Sequence, residues 1–408
     1  MTAAEAAAHA AARAPVRTAP TLTIPGGIRA MFGIFVVLGI ASFLIQAQAG
    51  GDPTRAYAAF LLGYVYFLFV SVAGTFFTAL HYLVGATWSV VVRRVAESFA
   101  SYLPVALLLF VILLIGVPKL YVWSNPPVTN PIEADHVTKG GYLSVPFFTL
   151  RVVLILGVWS LFAWYFIRNS TRQDATRDPS LTLASLRVAP IFILFFALSI
   201  TVVGFDLLMS LEPLWYSTIF GVYCFAGAWQ SFLAVLAITV VLLRRQGALD
   251  GIVSRHHYRD LGRFLFAFSV FWMYIAFSQF MLIWYANLPE EIEWMIPRTY
   301  TGWGGVGILL MVLKFGIPFF ALMPLKVKES EAGLLTVASI ILVGQWVDLF
   351  WVILPAFSPE RVVFGWTEIG VTLGFLGLFG WVVTGFLSRH PVAPVGDPSY
   401  EPSVRFHG

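Results

Sequence analysis

Apolar residues run along this 408-residue chain in ten long blocks, broken by short polar stretches. The blocks cover roughly 28–48, 56–82, 100–118, 143–167, 187–208, 216–243, 262–287, 302–324, 333–354 and 364–387. An α-helix rises about 1.5 Å per residue, so about 20 residues cross a hydrocarbon core about 30 Å thick. Every block reaches that length, the third only just. The pattern predicts an all-α integral membrane protein with about ten transmembrane helices. It divides the chain into an N-terminal tail (1–27), a membrane domain (28–387) and a C-terminal tail (388–408). The first tail is Ala-rich and polar and has no apolar h-region, so it does not read as a signal peptide.

Charge in the loops orients the helices. Of the 25 Arg and Lys residues, 18 lie in the two tails, the even-numbered loops and the block ends that adjoin them (Arg29, Arg187 and Arg263), five lie in the odd-numbered loops, and two (Arg151 and Lys314) fall deeper inside blocks. The positive-inside rule then puts both termini in the cytoplasm. A missed helix would scramble this alternation. Two outer loops stand out. The loop after the third block, "YVWSNPPVTNPIEADHVTKGGYLSVP", is proline-rich and irregular. The loop after the seventh, "NLPEEIEWMIPRTYTGWGG", is acidic and aromatic and suits the membrane interface or a partner there. In the last block Gly370 and Gly374 stand at the GxxxG spacing that lets helix backbones approach closely.

Composition removes several function classes. The chain is 59% hydrophobic and 11% charged, against roughly 25% charged in a soluble domain. Its single cysteine, Cys224, rules out a disulfide within the chain and any multi-thiolate metal site built by this chain alone. Of seven histidines only His81 falls in a block, too few for a haem held between helices by two histidines. His256 and His257 are neighbours in a basic loop and point different ways, a poor chelate. The C-x-x-C-H, P-loop and H-E-x-x-H motifs are all absent.

The chemistry therefore rests on polar groups at membrane depth, where a charge costs about 2.5–3.5 kcal/mol or more. Arg151, Asp206, Asp348 and Glu368 fall near the outer ends of their blocks, and Lys314 lies near the middle of its own. Glu212 follows Asp206 just past a helix end, before Pro213. Ser71, Thr75 and Thr78 share one helical face, and His81 continues it inward. Each has a plainer reading. Hydroxyls bond back to their own helix, Glu368 and His81 sit in the headgroup region, Arg151 pairs with Asp206 or Asp348, and Lys314 snorkels. Taken together, an outer acidic cluster, a central lysine and an inner Thr/His stripe are what a proton or cation route needs.

Two stretches carry a family resemblance: "FDLLMSLEPLWYSTIFGVYCFAG" at 205–227 and "RDLGRFLFAFSVFWMYIAFSQFMLIWYANLPEEIEW" at 259–294. With the ten-helix plan, they make the chain resemble the F subunits of alternative complex III, a bacterial quinol:cytochrome c or quinol:acceptor oxidoreductase. These belong to the NrfD/PsrC-like membrane proteins. The resemblance implies two four-helix bundles, from the second to fifth and sixth to ninth helices, plus flanking helices, in a bacterial inner membrane. It implies a scaffold with a proton path in a respiratory or photosynthetic complex, not catalytic alone. Its partners would be an NrfD-like C subunit, an iron–sulfur B subunit, c-type haem subunits, small membrane subunits and lipids, with no nucleic acid. Iron–sulfur clusters and haem c would sit in those partners, and menaquinone or another quinone would serve the complex. On this reading the proton path draws on Asp206, Asp348, Glu368, Lys314, His81, Thr75 and Thr78. Asp206 would serve a proton exit or a vestigial quinol pocket, and Glu212 would fix the turn. Two alternatives stand beside it. One is a quinol-binding subunit with an outer-face pocket at Asp206, Glu212 and Arg151. The other is a secondary transporter, for which Pro318, four residues after Lys314, would supply the kink.

Overall fold

The computed structural model describes residues 19–48, 52–126 and 131–407. Ten of its helices are long and apolar enough to cross a membrane. They are α1 (Gly26–Gln48), α2 (Thr54–Leu83), α3 (Val90–Leu120), α4 (Val145–Thr176), α5 (Ser180–Leu211), α6 (Phe220–Arg245), α7 (Arg255–Ala286), α8 (Trp303–Leu322), α9 (Glu331–Ala356) and α10 (Trp366–Leu387). The protein is thus an all-α, multi-pass membrane protein. A short helix, Pro289–Tyr300, caps the connection from α7 to α8.

Helices α2 to α5 close into one bundle and α6 to α9 into a second, each helix packing on the next in a ring. The bundles meet where α2 and α5 pack on α6 and where α2 packs on α9. The flanking pair α1 and α10 lie against each other and against α2. The hub is α2, buried along nearly its whole length. Its sequence explains this. From Ala56 to Leu80 it carries no charge and has apolar residues all round, with the hydroxyls of Ser71, Thr75 and Thr78 along one face, the signature of a helix surrounded by protein.

The flanking pair depends on glycine. A Cβ on Gly374 would stand 2.7 Å from the Gly39 Cα, and one on Gly39 would strike the Gly374 backbone. Gly370, the other half of the GxxxG spacing, faces Ser42 on the same helix. The motif is therefore the seam between α10 and α1.

Both described tails fold onto one end of the molecule. Leu22 donates its N–H to the Leu387 carbonyl at 2.9 Å, and Val392 donates to that of Pro20 at 3.0 Å. The C-terminal segment then crosses the α2–α3 and α6–α7 connections. The Ser403 Oγ donates to the Trp88 carbonyl, and the Ser403 carbonyl lies 3.1 Å from His257 Nε2. Tails and even-numbered connections share an end, as the charge alternation requires. The predicted N-terminal tail lies mostly outside the described residues.

One boundary differs from the sequence expectation. The third helix begins at Val90 rather than near 100, because "VVVRRVAESFA" is helical and buried. Arg93 and Arg94 are not loop charges. Arg93 meets Asp397 of the C-terminal segment at 2.6 Å, and Arg94 meets Asp174 of α4 at 2.8 Å. Glu97 lies 2.9 Å from Arg94 Nε, close but not aligned as a hydrogen bond. The two arginines and Glu97 depress the local hydropathy, and their partners lie far along the chain, out of reach of any local pattern.

The glycine seam gives a stability prediction. Gly374→Val overpacks the α1–α10 contact and should lower stability by about 1–3 kcal/mol. Gly157→Ala, at a position with open space around it, should change it by less than about 0.5 kcal/mol. Thermal unfolding of the detergent-purified chain checks both, and equal losses would show that the seam is not tight.

Candidate functional site

The most unusual local structure lies in α8. Val312–Gly316 form a π-helical turn between the α-helical stretches Trp303–Met311 and Ile317–Leu322. Pro318 supplies the cause. It has no N–H to return to the carbonyl four residues back, which belongs to Lys314. That carbonyl instead accepts from Gln230 Nε2 of α6 at 2.9 Å, and the same Nε2 donates to Ser269 Oγ of α7 at 2.9 Å. Turns of this kind recur at functional sites.

The π turn presents Lys314 to the centre of the second bundle. Lys314 is fully buried and Asp348 is 2% exposed, so the lysine does not snorkel. Its Nζ donates to Asp348 Oδ2 at 2.7 Å and to Gln345 Oε1 at 2.6 Å. Asp348 also accepts from Tyr223 through Oδ1 and from Trp272 Nε1 at 3.2 Å. The ammonium stands 4.3 Å from the centre of the Trp272 ring, a cation–π contact. A glycine makes room for the lysine stem, because a Cβ on Gly344 would lie 2.7 Å from Lys314 Cγ. All four helices of the bundle contribute: Tyr223 and Gln230 from α6, Trp272 and Ser269 from α7, Lys314 from α8, and Gln345 and Asp348 from α9. A void of about 10 Å³ touches Asp348, Gln345 and Tyr223 where α2 and α6 meet α9. That is about the room for one water.

The first bundle is arranged differently. Asp206 is sealed, and Arg151 grips it with two hydrogen bonds, 2.9 Å from Nε and 2.8 Å from Nη2. The guanidinium lies 3.8 Å from the Tyr142 ring centre and 4.4 Å from that of Phe147. Arg151 therefore partners Asp206, not Asp348. Glu212 joins neither of them. It accepts from Arg298 Nη2 at 2.7 Å and so ties the link between the bundles to the capping helix.

Glu368 is committed too. Arg55 holds it at 2.8 and 2.9 Å, and it accepts from the Gly365 N–H at the start of α10. On α2, Ser71 and Thr78 bond back to the Phe67 and Gly74 carbonyls, the plainer reading of the stripe. Thr75 differs, since its buried hydroxyl has no hydrogen-bond partner among the described residues. His81 Nδ1 lies 2.8 Å from the Phe77 carbonyl, which can only accept, so the ring proton sits on Nδ1.

Of the seven path residues read from the sequence, Lys314 and Asp348 are the pair joined by a side-chain hydrogen bond among the described residues. Asp206 and Glu368 are each locked to an arginine, and the stripe stays on α2. Sequence reasoning passed over Tyr223, Gln230, Trp272 and Gln345. The two glutamines gave a usable signal: they are amides within apolar blocks, where an unpaired polar group is costly. Among the described residues no group of three or more His, Cys, Asp or Glu side chains is placed to hold a metal ion. No protein-family model matches the chain, and no curated protein matches it.

A buried ion pair whose charges depend on each other should show strong coupling. Lys314→Met or Asp348→Leu alone leaves an uncompensated charge and should cost about 3–5 kcal/mol. The double variant should cost far less than the sum of the two. Thermal unfolding of the four proteins in one detergent measures the cycle, and additive losses would mean that the two charges are not paired.

Proposed function

We propose that this chain is a membrane subunit of a quinol:electron-acceptor oxidoreductase of the alternative complex III type, and that its second bundle passes protons. The observation that carries the relay is the Lys314–Asp348 pair, sealed among four apolar helices and lined with Tyr223, Gln345 and a water-sized void. Ionisable groups kept at such depth mark ion or proton pathways. A proton moved from Lys314 to Asp348 turns an ion pair into a neutral pair with no change in net charge. Such a transfer leaves no lone charge in the low-dielectric core.

On this reading electrons travel in partner subunits that carry iron–sulfur clusters and haem c. An NrfD-like C subunit handles the quinol, and the chain sits in a bacterial inner membrane. The charge alternation supports placing both tails in the cytoplasm, with the Arg151–Asp206 pair toward the opposite face. That pair weighs against the quinol-pocket alternative, since a carboxylate held by both oxygens is a poor free base. Asp206 then acts as a brace more than as a proton exit.

The π turn lends some support to a second reading, a secondary transporter. Broken helices at mid-depth beside a charge are how such proteins hold their cargo. The purified chain in sealed vesicles separates this case, because solute uptake without partner subunits would establish it.

The relay is tested in the assembled complex in vesicles, by measuring protons moved per electron and quinol oxidation together. Asp348→Asn should lower the proton-to-electron ratio and leave quinol oxidation within about two-fold, well short of the 10²–10⁴ lost with a group acting in the chemical step. Asp206→Asn should leave both unchanged. An unaltered ratio in Asp348→Asn would end the relay reading, and loss of quinol oxidation in Asp206→Asn would revive the quinol pocket.

A further inference from the structure

A cavity of about 300 Å³ lies between α7, α8 and the capping helix Pro289–Tyr300. It is separate from the Arg151–Asp206 pair. Its volume is at the small end for ligand sites. Aromatic rings form much of its wall, among them Trp272, Phe280, Trp294 and Trp351, and methionines fill the gaps between them. Such walls favour a flat apolar ring, because rings stack and thioethers adapt. Two of its lining residues, Phe277 and Ile308, are 52% and 66% exposed, so the cavity borders the outer surface of the membrane-spanning helices.

Two polar features decide what the cavity would take. The first is Gln279, a lining residue only 5% exposed, whose Oε1 has no hydrogen-bond partner among the described residues. A buried acceptor left open costs about 1–3 kcal/mol. A ligand that brings an O–H or N–H donor would recover that cost. The second is Arg298, the only charged residue in the lining. Its donors already go to Glu212 and to the carbonyls of Trp294, Trp351 and Val352. The cavity thus offers no free cation for an anionic headgroup and no carboxylate for a cation.

We infer that this cavity is a binding site for an uncharged, ring-bearing amphiphile that enters from the lipid and donates a hydroxyl to Gln279 Oε1. Occupancy reaches the buried pair directly, since Tyr223 and Trp272 line the cavity and hydrogen-bond Asp348. The site holds whether or not the pair relays protons.

The test uses the full chain in phosphatidylcholine nanodiscs, titrated with 4-nonylphenol and with its methyl ether, 4-nonylanisole. Tryptophan quenching reads the binding. The phenol should bind saturably and at least about ten-fold tighter than the ether, the size of one hydrogen bond to an otherwise unpaired acceptor. Gln279→Leu should erase that preference. Met311→Trp, which puts a larger side chain in the cavity wall, should remove binding of both probes and gives a second readout if Gln279→Leu does not fold. Equal binding of the two probes to the unaltered chain would mean a greasy cleft that any acyl chain fills, and would overturn the inference. So would a phenol preference that survives in Gln279→Leu, or a failure of either probe to saturate.

Discussion

Every charge that this protein buries must find its opposite, and the fold is organised around that need. Desolvating an ion costs several kcal/mol even after relaxation, so each buried charge acts as a constraint on which elements may meet. Lys314 and Asp348 join α8 to α9. Arg151 and Asp206 join α4 to α5, and Arg55 and Glu368 join α2 to α10 across 313 residues of sequence. Arg93 and Asp397 fasten the C-terminal segment to α3 across 304 residues. Arg298 and Glu212 fasten the capping helix to the link between the bundles. In lipid, where hydrophobic burial does not distinguish one helix neighbour from another, these pairs supply specificity that apolar packing alone lacks.

The two bundles spend their polar groups differently although each is a ring of four helices. The first keeps its charges at its ends: Arg151 with Asp206 at one, and Arg94, Glu97 and Asp174 at the other. Between them lies the α2 stripe, in which Ser71 and Thr78 bond to their own helix. The second bundle holds its ion pair in the interior, with a residue from every helix contributing. α2 serves both, and it can do so because it carries no charge over the length that the bundles share. The contrast separates a brace from a site. The end pairs each tie neighbouring elements together, whereas the interior pair takes side chains from every helix of its bundle.

Much of the architecture could be read in the sequence, since helix count and parity follow from hydropathy and charge alone. Pairing was harder to read. Asp206 stood out as a buried carboxylate and Arg151 as a partner for it or for Asp348, but nothing local decided between the two. Arg93 and Arg94 looked like a basic loop because Asp397, which neutralises one of them, lies at the far end of the chain. Pro318 was legible as a kink. What it does, freeing the Lys314 carbonyl for Gln230, depends on a side chain 84 residues away. Gln230 and Gln345 were visible as amides in apolar helices. Tyr223 and Trp272 were not, because aromatic residues are common throughout these spans and only contact distinguishes the ones that bind Asp348.

The groups around the ion pair are matched to its charges. Tyr223 and Trp272 aim donors at Asp348, and Gln345 turns an acceptor to Lys314. A proton passed from the lysine to the carboxylate would leave those two donors facing a neutral acid, and would leave Gln345 facing an amine. The cost of that step would therefore depend on Tyr223 and Trp272 as well as on the pair. Both side chains also form part of the wall of the cavity under the capping helix, so whatever lies in that cavity touches the two residues on which a proton step at this pair would depend. The π turn places the lysine, two donors face its partner carboxylate, and the cavity under the capping helix is an opening that reaches both donors.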